Sequence, residues 1–302
     1  MKNKSESILA RLKNESRKKG ISLQQLLNLF CQEEFIRRLA MSNYTNNLIL
    51  KGGYFLYSIS EFTSRPTIDA DYLLKNYSND INTVEKLITE VLLVETKNDF
   101  IELQVRNLEV ISELKEYSGV RVNLTGIIGR TRTPFSIDFG VGDIIVPSPV
   151  ERTLPVLLPN FEQPKIFTYS LESTVAEKID AIISLMELTG RMKDFYDIYY
   201  IATTFDFEGR KLQEALYETL SNRGRAYEKD SISDIFRLSS DSEIRKRWDN
   251  FCNKVLNYEI DFVDVVNIII DFISPPYDSI IKEDEFFGNW DSKKRKYDKL
   301  DI

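Results

Sequence analysis

Two closely spaced aspartates and a glycine pair are the residues of this sequence whose types and order best suit a reaction. Gly52 and Gly53 come first, and Asp69 and Asp71 follow with a single residue between them. Alternate residues of a strand point to the same face, so the two carboxylates are expected to lie side by side. A glycine turn that opens a helix offers backbone N–H groups to a phosphate, and paired carboxylates hold Mg²⁺. This combination is the layout that metal-dependent nucleotidyl transfer requires.

A third carboxylate, Asp138, follows on a later strand. Residues 67–74 and 135–141 are predicted strands because apolar residues alternate along them. Asp69 and Asp71 share a face of the first strand. Asp138 lies on the face of the second strand opposite its apolar residues, so it would sit beside Asp69 and Asp71 if the two strands are neighbours. Unpaired carboxylates inside an apolar strand are costly unless a cation compensates them. Asp138 either shares a metal ion with Asp69 and Asp71, or accepts the proton of an attacking hydroxyl, or is an exposed strand residue.

Lys178 is a cation at an unusual position. It falls on the apolar stripe of a helix predicted over residues 171–188. A lysine that faces a core needs an anionic partner, either a ligand or a carboxylate such as Asp194, unless it extends to solvent. Asp194 and Asp197 are one turn apart on the next predicted helix, where they favour the helix start or hold Lys178 and a nucleotide.

Composition removes several other kinds of chemistry. The chain of 302 residues has no histidine, which excludes Ser-His-Asp and Cys-His hydrolases and histidine-ligated zinc sites. Its two cysteines, Cys31 and Cys252, are far apart and fit neither a disulfide framework nor a zinc site. A net charge of −7 argues against a protein that coats nucleic acid nonspecifically, although it permits a local basic surface.

The sequence also predicts a cytoplasmic protein without a membrane span. Residues 1–7 are polar and charged and lack the apolar region of a secretory signal. The longest apolar run, residues 265–273, is interrupted by Asn267 and Asp271 and is shorter than the roughly 20 residues that a membrane helix needs.

The surrounding pattern predicts an α+β fold. Two helices, over residues 4–18 and after Ser22, precede a strand at 47–50, a helix at 54–60, the strand at 67–74, a helix at 80–94, and strands at 101–105, 120–124 and 135–141. The proline-rich residues 147–164 are predicted to be a linker. The first domain is therefore expected to cover residues 1–150, and a second domain residues 165–302.

The second domain is predicted to be helical. Its helices are expected over residues 171–188, 193–204, 209–222, 231–236, 242–256 and 261–273, the last ended by Pro275 and Pro276. The basic residues 293–296 are predicted to be a solvated tail or, alternatively, a weak nucleic-acid contact.

Four short blocks in this order resemble the AbiEii/AbiGii family of nucleotidyltransferase toxins, which belong to the DNA-polymerase-beta-like superfamily and to type IV toxin-antitoxin and phage-abortive (abortive infection) systems. The blocks are Lys51-Gly52-Gly53, Arg65 to Asp71 in the form R-x-T-x-D-x-D, Ala176-Glu177-Lys178, and Lys193 to Asp197. No block is specific alone, whereas the ordered set is. The chain departs from many members at Tyr54, where they have a small hydroxyl residue.

The resemblance implies a nucleotidyltransferase lobe, with a mixed β-sheet flanked by helices, and a C-terminal helical lobe that completes the site and carries the acceptor surface. It implies that Asp69 and Asp71 bind Mg²⁺ and that Lys178 and Asp194 join them as catalytic residues. The nucleotide-binding residues that we expect are Lys51, Gly52, Gly53, Arg65, Thr67, Lys178 and Asp197. Lys178→Ala is expected to abolish transfer and to leave the fold intact.

The implied activity is transfer of NMP from an NTP to the 3′ end of RNA, with the tRNA acceptor end as the expected target, so that translation and growth stop. A nearby gene for an antitoxin, a winged-helix protein, is the expected partner. Two alternatives stay open. The enzyme modifies a protein hydroxyl or a small molecule such as an aminoglycoside, or the chain is a non-catalytic module that binds NTP.

Overall fold

A computed structural model describes residues 2–111, 119–224, 228 and 230–298. The chain divides into two compact units. The first unit consists of Met1–Gly142 and Val150–Thr168, and the second of Asp143–Pro149 and Tyr169–Ile302.

The first unit is a seven-stranded sheet with helices. Its elements in chain order are α1 (Lys2–Lys19), α2 (Leu23–Met41), β1 (Leu48–Lys51), α3 (Gly52–Ile59), β2 (Ala70–Leu74), α4 (Ile81–Leu92), β3 (Ile101–Ile111), β4 (Gly119–Ile128), β5 (Thr131–Gly140), β6 (Val150–Thr153) and β7 (Lys165–Thr168). The strand order is β3-β4-β5-β2-β1-β7-β6. The sheet is mixed, because β2 pairs with β5 and β1 with β7 in parallel, whereas the other pairs are antiparallel.

Local sequence explains the helix starts in this unit. The Ser22 hydroxyl accepts a hydrogen bond from the Gln25 N–H and so caps α2, as predicted. The Asp80 carboxylate caps α4 in the same way through the Thr83 N–H. The central strands are apolar on both faces except at a few charged positions, which is the pattern of strands covered by helices.

The second unit is mainly helical. Its elements in chain order are α5 (Leu171–Leu185), α6 (Met192–Thr204), β8 (Phe207–Glu208), α7 (Gly209–Asn222), α8 (Ser231–Leu238), α9 (Ser242–Phe251), α10 (Phe262–Ile281), β9 (Asn289–Asp291) and β10 (Lys296–Tyr297). The helix α10 packs against α6, α7 and α8. The three short strands form a second sheet in the order β10-β9-β8. Across the described part of the chain, a helix with the length and apolar character of a membrane span is absent.

The predicted α+β class, with a mixed sheet flanked by helices, is confirmed, but several boundaries were wrong. The strand predicted from residue 67 begins at Ala70, so Asp69 lies just before it. Residues 147–164 are not a linker, because they contain β6 and lead directly into β7, which pairs with both β6 and β1. The predicted domain limits at 150 and 165 therefore differ from the observed division, in which residues 150–168 belong to the first unit.

Two further differences lie near the C-terminus. The last long helix continues through Pro275 and Pro276 to Ile281, where the prediction ended it at residue 273. Pro276 and Tyr277 are buried, so packing of the continued helix outweighs the loss of backbone N–H groups at the prolines. The basic residues 293–296 do not form a loose tail, because they occupy the turn and second strand of the β9–β10 hairpin.

Candidate functional site

Four charged residues lie in register across four neighbouring strands of the first unit. Lys51 on β1 is paired with Asp71 on β2, Asp71 with Asp138 on β5, and Asp138 with Arg121 on β4. Register partners on adjacent strands present their side chains to the same face of a sheet. Carboxylates therefore lie at the centre of this row and cations at its two ends. We refer to these four residues as the charged row.

The Arg121–Asp138 pair is the best defined contact of the charged row. Arg121 Nε and Nη2 each donate to a different carboxylate oxygen of Asp138, both at 2.7 Å. These hydrogen bonds raise the pKa of Arg121 well above its ordinary value, and the charges of Asp69 and Glu109 add to the effect. A fork of this kind is among the stronger ion pairs of proteins. Both Asp138 oxygens are therefore already engaged.

Sequence reasoning missed Arg121, although a signal for it existed. In Val120-Arg121-Val122 the apolar neighbours belong to one face of the strand, so the arginine must point to the other. The alternation does not reveal which strand lies beside β4, and without that neighbour Arg121 reads as an ordinary surface cation. The register with Asp138 supplies the missing partner.

Gly52 brings the backbone against the Asp71 carboxylate. Its φ of +70° lies in the left-handed region that favours glycine. A Cβ on this residue would overlap the Asp71 side chain, with the carboxylate carbon at 2.9 Å. No side chain caps the start of α3, which begins at Gly52. The first N–H groups of this helix are thus placed beside a carboxylate, as a phosphate and its counter-ion require.

Gly52→Ala is expected to lower nucleotidyl transfer roughly 10²-fold, because displacement of a reacting group by about 1 Å has an effect of that order. Backbone strain is expected to destabilise the variant by about 1–3 kcal/mol. Gly20→Ala is the matched control, because Gly20 has φ +67° but nothing within 4 Å of its Cβ position. Equal losses of activity in the two variants, measured beside their unfolding curves, would contradict a role for the Gly52–Asp71 contact.

Three predicted nucleotide-binding residues meet at Gly53. A Cβ placed there would lie 2.7 Å from Thr67 Oγ1 and 3.5 Å from an Arg65 guanidinium nitrogen. Arg65 and Thr67 are both buried, each with 9% of its surface exposed. The glycine pair is thus lined by a hydroxyl and a cation. The Tyr54 ring is buried in the core, and burial raises the pKa of its hydroxyl.

The carboxylates next to this turn suit a magnesium ion in their chemistry. Asp69 is exposed and Asp71 half-buried, and Mg²⁺ prefers one or two carboxylates together with substrate phosphates. Among the residues that the structure describes, no three side chains of Cys, Asp or Glu are grouped so as to hold a metal ion by themselves. Asp69 and Asp71 therefore suit the role of ligands to the ion, whereas Asp138 suits it only if its ion pair with Arg121 breaks.

The second unit brings Lys178 together with both aspartates of α6. Its Nζ lies 2.8 Å from Asp194 Oδ1 and 2.7 Å from Asp197 Oδ2. The exposed fractions of these side chains are 11% for the lysine and 0% and 3% for the aspartates. Of the partners that the sequence left open for Lys178, the carboxylates are the ones observed.

Asp194 also has a second cation nearby. Arg191 Nε lies 2.5 Å from Asp194 Oδ2, although the alignment does not make a hydrogen bond, so this buried oxygen has no hydrogen-bond partner among the described residues. Asp194 is thus held firmly through one oxygen and only electrostatically through the other. This leaves the second oxygen with hydrogen-bonding capacity.

Arg223 is a further charged residue that no sequence pattern singles out. It lies 2.6 Å from Asp180, 3.2 Å from Asp143 and 3.8 Å from Glu177. Glu177 and Asp180 are one turn apart on α5 and flank Lys178 in sequence. Arg223 therefore fixes the part of α5 that carries the lysine. Its partners come from two separate segments, α5 and the residues before β6, which no local pattern reveals.

Comparisons of sequence and structure relate the chain to known proteins. The model of the family described as "Nucleotidyl transferase AbiEii toxin, Type IV TA system" matches residues 34–282. No curated protein matches the sequence. The chain is similar in structure to JHP933 from Helicobacter pylori, with a TM-score of 0.50, 12% identity, and coverage of 87% of this chain and 95% of that one. It also matches a candidate nucleotidyltransferase from H. pylori, with a TM-score of 0.48, 13% identity, and coverage of 88% and 100%.

Proposed function

Because the chain belongs to the AbiEii family of nucleotidyl transferase toxins of type IV toxin-antitoxin systems, we propose that it transfers NMP from an NTP to the 3′ end of an RNA, the acceptor end of tRNA. The observation that carries the proposal is the close approach of Gly52 at the start of α3 to the Asp71 carboxylate. In the proposed function, the start of α3 would bind phosphate and the neighbouring carboxylate would bind the metal.

In the proposed reaction, the N–H groups at the start of α3 bind triphosphate oxygens. The Arg65 guanidinium adds positive charge there, and the Thr67 hydroxyl adds a hydrogen bond. Asp69 and Asp71 would hold Mg²⁺, which as a Lewis acid stabilises the charge that develops on the phosphate. The acceptor hydroxyl forms a bond to the α-phosphorus as the bond to the β-phosphate oxygen breaks, so that pyrophosphate leaves and the hydroxyl proton is released. Lys178 contacts the nucleotide and Asp194 is a further catalytic carboxylate.

The basic turn of the β9–β10 hairpin supports an RNA acceptor. Residues 293–296 are all exposed cations on a chain whose net charge is −7. The Asp291 carboxylate accepts hydrogen bonds from the N–H groups of Lys293 and Lys294, at 3.0 and 2.8 Å, and so fixes the turn. The rings of Trp290 and Tyr297, which flank the turn in sequence, pack against each other with their centroids 5.1 Å apart. A fixed cluster of cations loses little entropy when it binds a phosphate backbone.

Most cations of this turn are available to a ligand. Lys294 pairs with Asp291 and Asp298, at 2.7 and 3.7 Å. By contrast, Lys293 and Lys296 have no ion pair with any residue that the structure describes. Each can therefore contact a phosphate without giving up a carboxylate.

Lys293→Gln combined with Lys296→Gln is expected to weaken tRNA binding roughly 10-fold at low salt and to reduce the slope of log K against log salt by about 2. The control removes two exposed cations elsewhere in the second unit, Arg245→Gln with Lys246→Gln. Anisotropy titrations of labelled tRNA at several salt concentrations measure both quantities. If the two double variants weaken binding equally, the turn has no particular role.

The cellular part of the proposal follows from the family. We propose that the enzyme acts in the cytoplasm, that modified tRNA no longer accepts an amino acid, and that translation and growth stop. A separately encoded antitoxin, of winged-helix type, restrains it. The type IV assignment of the family supports the existence of the antitoxin.

The direct test is incubation of the pure protein with Mg²⁺, total tRNA and each of the four α-labelled NTPs. We expect label in the tRNA 3′ end with at least one NTP and loss of transfer when the metal is chelated. Label that appears in a protein or an aminoglycoside when either replaces the tRNA, with no label in RNA, would contradict the proposed acceptor and favour a transferase that modifies a protein or a small molecule. Tight NTP binding without release of pyrophosphate would instead show a binding module.

A further inference from the structure

The charged row is balanced by its own side chains. Its two carboxylates, Asp71 and Asp138, are flanked by Lys51 and Arg121, so the four charges sum to zero. Asp69 is close enough for its charge to act on Arg121 as well. A divalent cation at Asp69 and Asp71 would thus meet carboxylates that already have cations beside them.

The Arg121–Asp138 ion pair has short hydrogen bonds, but another anion can replace Asp138 as the partner of Arg121. Both hydrogen bonds are 2.7 Å long, yet 37% of the Arg121 side chain is exposed, against 16% of Asp138. The Arg121 side chain is therefore the more exposed member of the pair. From this position it can move from a carboxylate to another anion without unpacking the core, and a phosphate accepts the same two-pronged contact.

We propose that Arg121 couples the binding of the divalent cation to the binding of NTP at this site. The inference rests on the proposed function and adds a regulation of the same site. With no triphosphate present, the Arg121 ion pair prevents Asp138 from binding the divalent cation, and the positive charge of Arg121 repels that cation. When triphosphate oxygens take over the guanidinium, Asp138 becomes available to the cation.

Electrostatics determines the direction of the effect. When the metal binds alone, it competes with the Arg121 guanidinium for the carboxylates. When NTP binds alone, its triphosphate competes with the carboxylates for the guanidinium. When both bind, metal pairs with carboxylates and phosphates, and guanidinium with phosphates. Each ligand must then raise the affinity of the other by the same factor, because coupling between two binding equilibria is reciprocal.

The experiment measures binding, not turnover. Mn²⁺ is titrated into the full-length protein and into Arg121→Gln, with and without an α,β-methylene NTP, which cannot donate a nucleotide. For the natural protein we expect the analogue to tighten Mn²⁺ binding about 10-fold or more. For Arg121→Gln we expect Mn²⁺ alone to bind about fivefold tighter and the coupling to fall about fivefold, because the direct contact between metal and phosphate remains.

Two variants isolate the cause. Arg132→Gln removes an exposed arginine of β5 that is paired in register with Ile127, and it should leave both titrations unchanged. In Arg121→Gln with Asp138→Asn, the gain in Mn²⁺ affinity should disappear, because the carboxylate released by the first change is absent. Retention of the gain in the double variant would show that Arg121 does not act through Asp138 and would overturn the inference.

The outcomes also separate the inference from the proposed function. If the natural protein transfers label to RNA and couples the two ligands, but Arg121→Gln couples them equally well, only the role of Arg121 is wrong. If the natural protein binds neither Mn²⁺ nor the analogue, both the inference and the proposed function fall.

Discussion

Asp71→Asn is expected to reduce nucleotidyl transfer by at least about 10³-fold, which corresponds to about 4 kcal/mol of transition-state stabilisation. The amide keeps the size of the side chain that lies against Gly52 but removes the charge that would hold the metal. In the sheet, Asp71 lies in register between Lys51 and Asp138, so the change removes an attraction to a cation and a repulsion from a carboxylate, which offset each other. The free energy of unfolding should therefore change by no more than about 1 kcal/mol.

The measurement is label transfer from NTP to tRNA under single-turnover conditions, beside urea unfolding of each variant. Asp80→Asn is the matched control, because Asp80 is an exposed cap of α4 and asparagine caps a helix about as well. Transfer at an unchanged rate by a folded Asp71→Asn protein would remove Asp71 from the metal site. Asp69→Asn should show a loss in the same direction.

Lys178→Ala is expected to abolish transfer and, in contrast to the sequence-based expectation, to destabilise the protein by about 3–5 kcal/mol. The structure gives the reason. Asp194 and Asp197 are buried, and the lysine is the cation between them. Its removal takes away the cation that the two buried carboxylates share, which costs more than an exposed ion pair contributes, although Arg191 still lies beside Asp194. Urea unfolding and the transfer assay measure the two losses separately.

A double variant separates structure from catalysis at this position. Lys178→Met with Asp197→Asn removes one charge of each sign, and Arg191 remains beside Asp194, so we expect most of the stability to return. Asp197→Asn alone, assayed in parallel, shows what that change costs. If the double variant regains transfer together with stability, Lys178 is a structural residue and does not contact the nucleotide.

The sequence predicted part of the geometry around the candidate site. Asp71 and Asp138 are register neighbours, as expected if their strands lie side by side, and Gly53, Arg65 and Thr67, which the family resemblance grouped together, lie close to one another. Their roles stay predictions. Period-two alternation identifies a strand and the face of each residue. It does not identify the neighbouring strand, which explains why Arg121, the partner of Asp138, was missed.

The errors in the fold have a common physical origin. The strands β6 and β7 are each four residues long, which is too short for alternation to be recognised among prolines. The helix α10 continues through Pro275 and Pro276 because residues beyond them are buried. In each case contacts made far along the chain override the local signal, and a single sequence shows only the local signal.

The return of the chain to the first sheet has a consequence for synthesis of the protein. One side of β1 pairs with β2, but the other pairs with β7, which is made only after residues 143–149 of the second unit. Open strand edges expose unpaired backbone groups and invite aggregation. While the ribosome makes the chain, β1 therefore keeps an open edge until Thr168 has emerged, past the midpoint of 302 residues. We expect chaperone demand during translation to be set by this delay, whatever the stability of the finished protein.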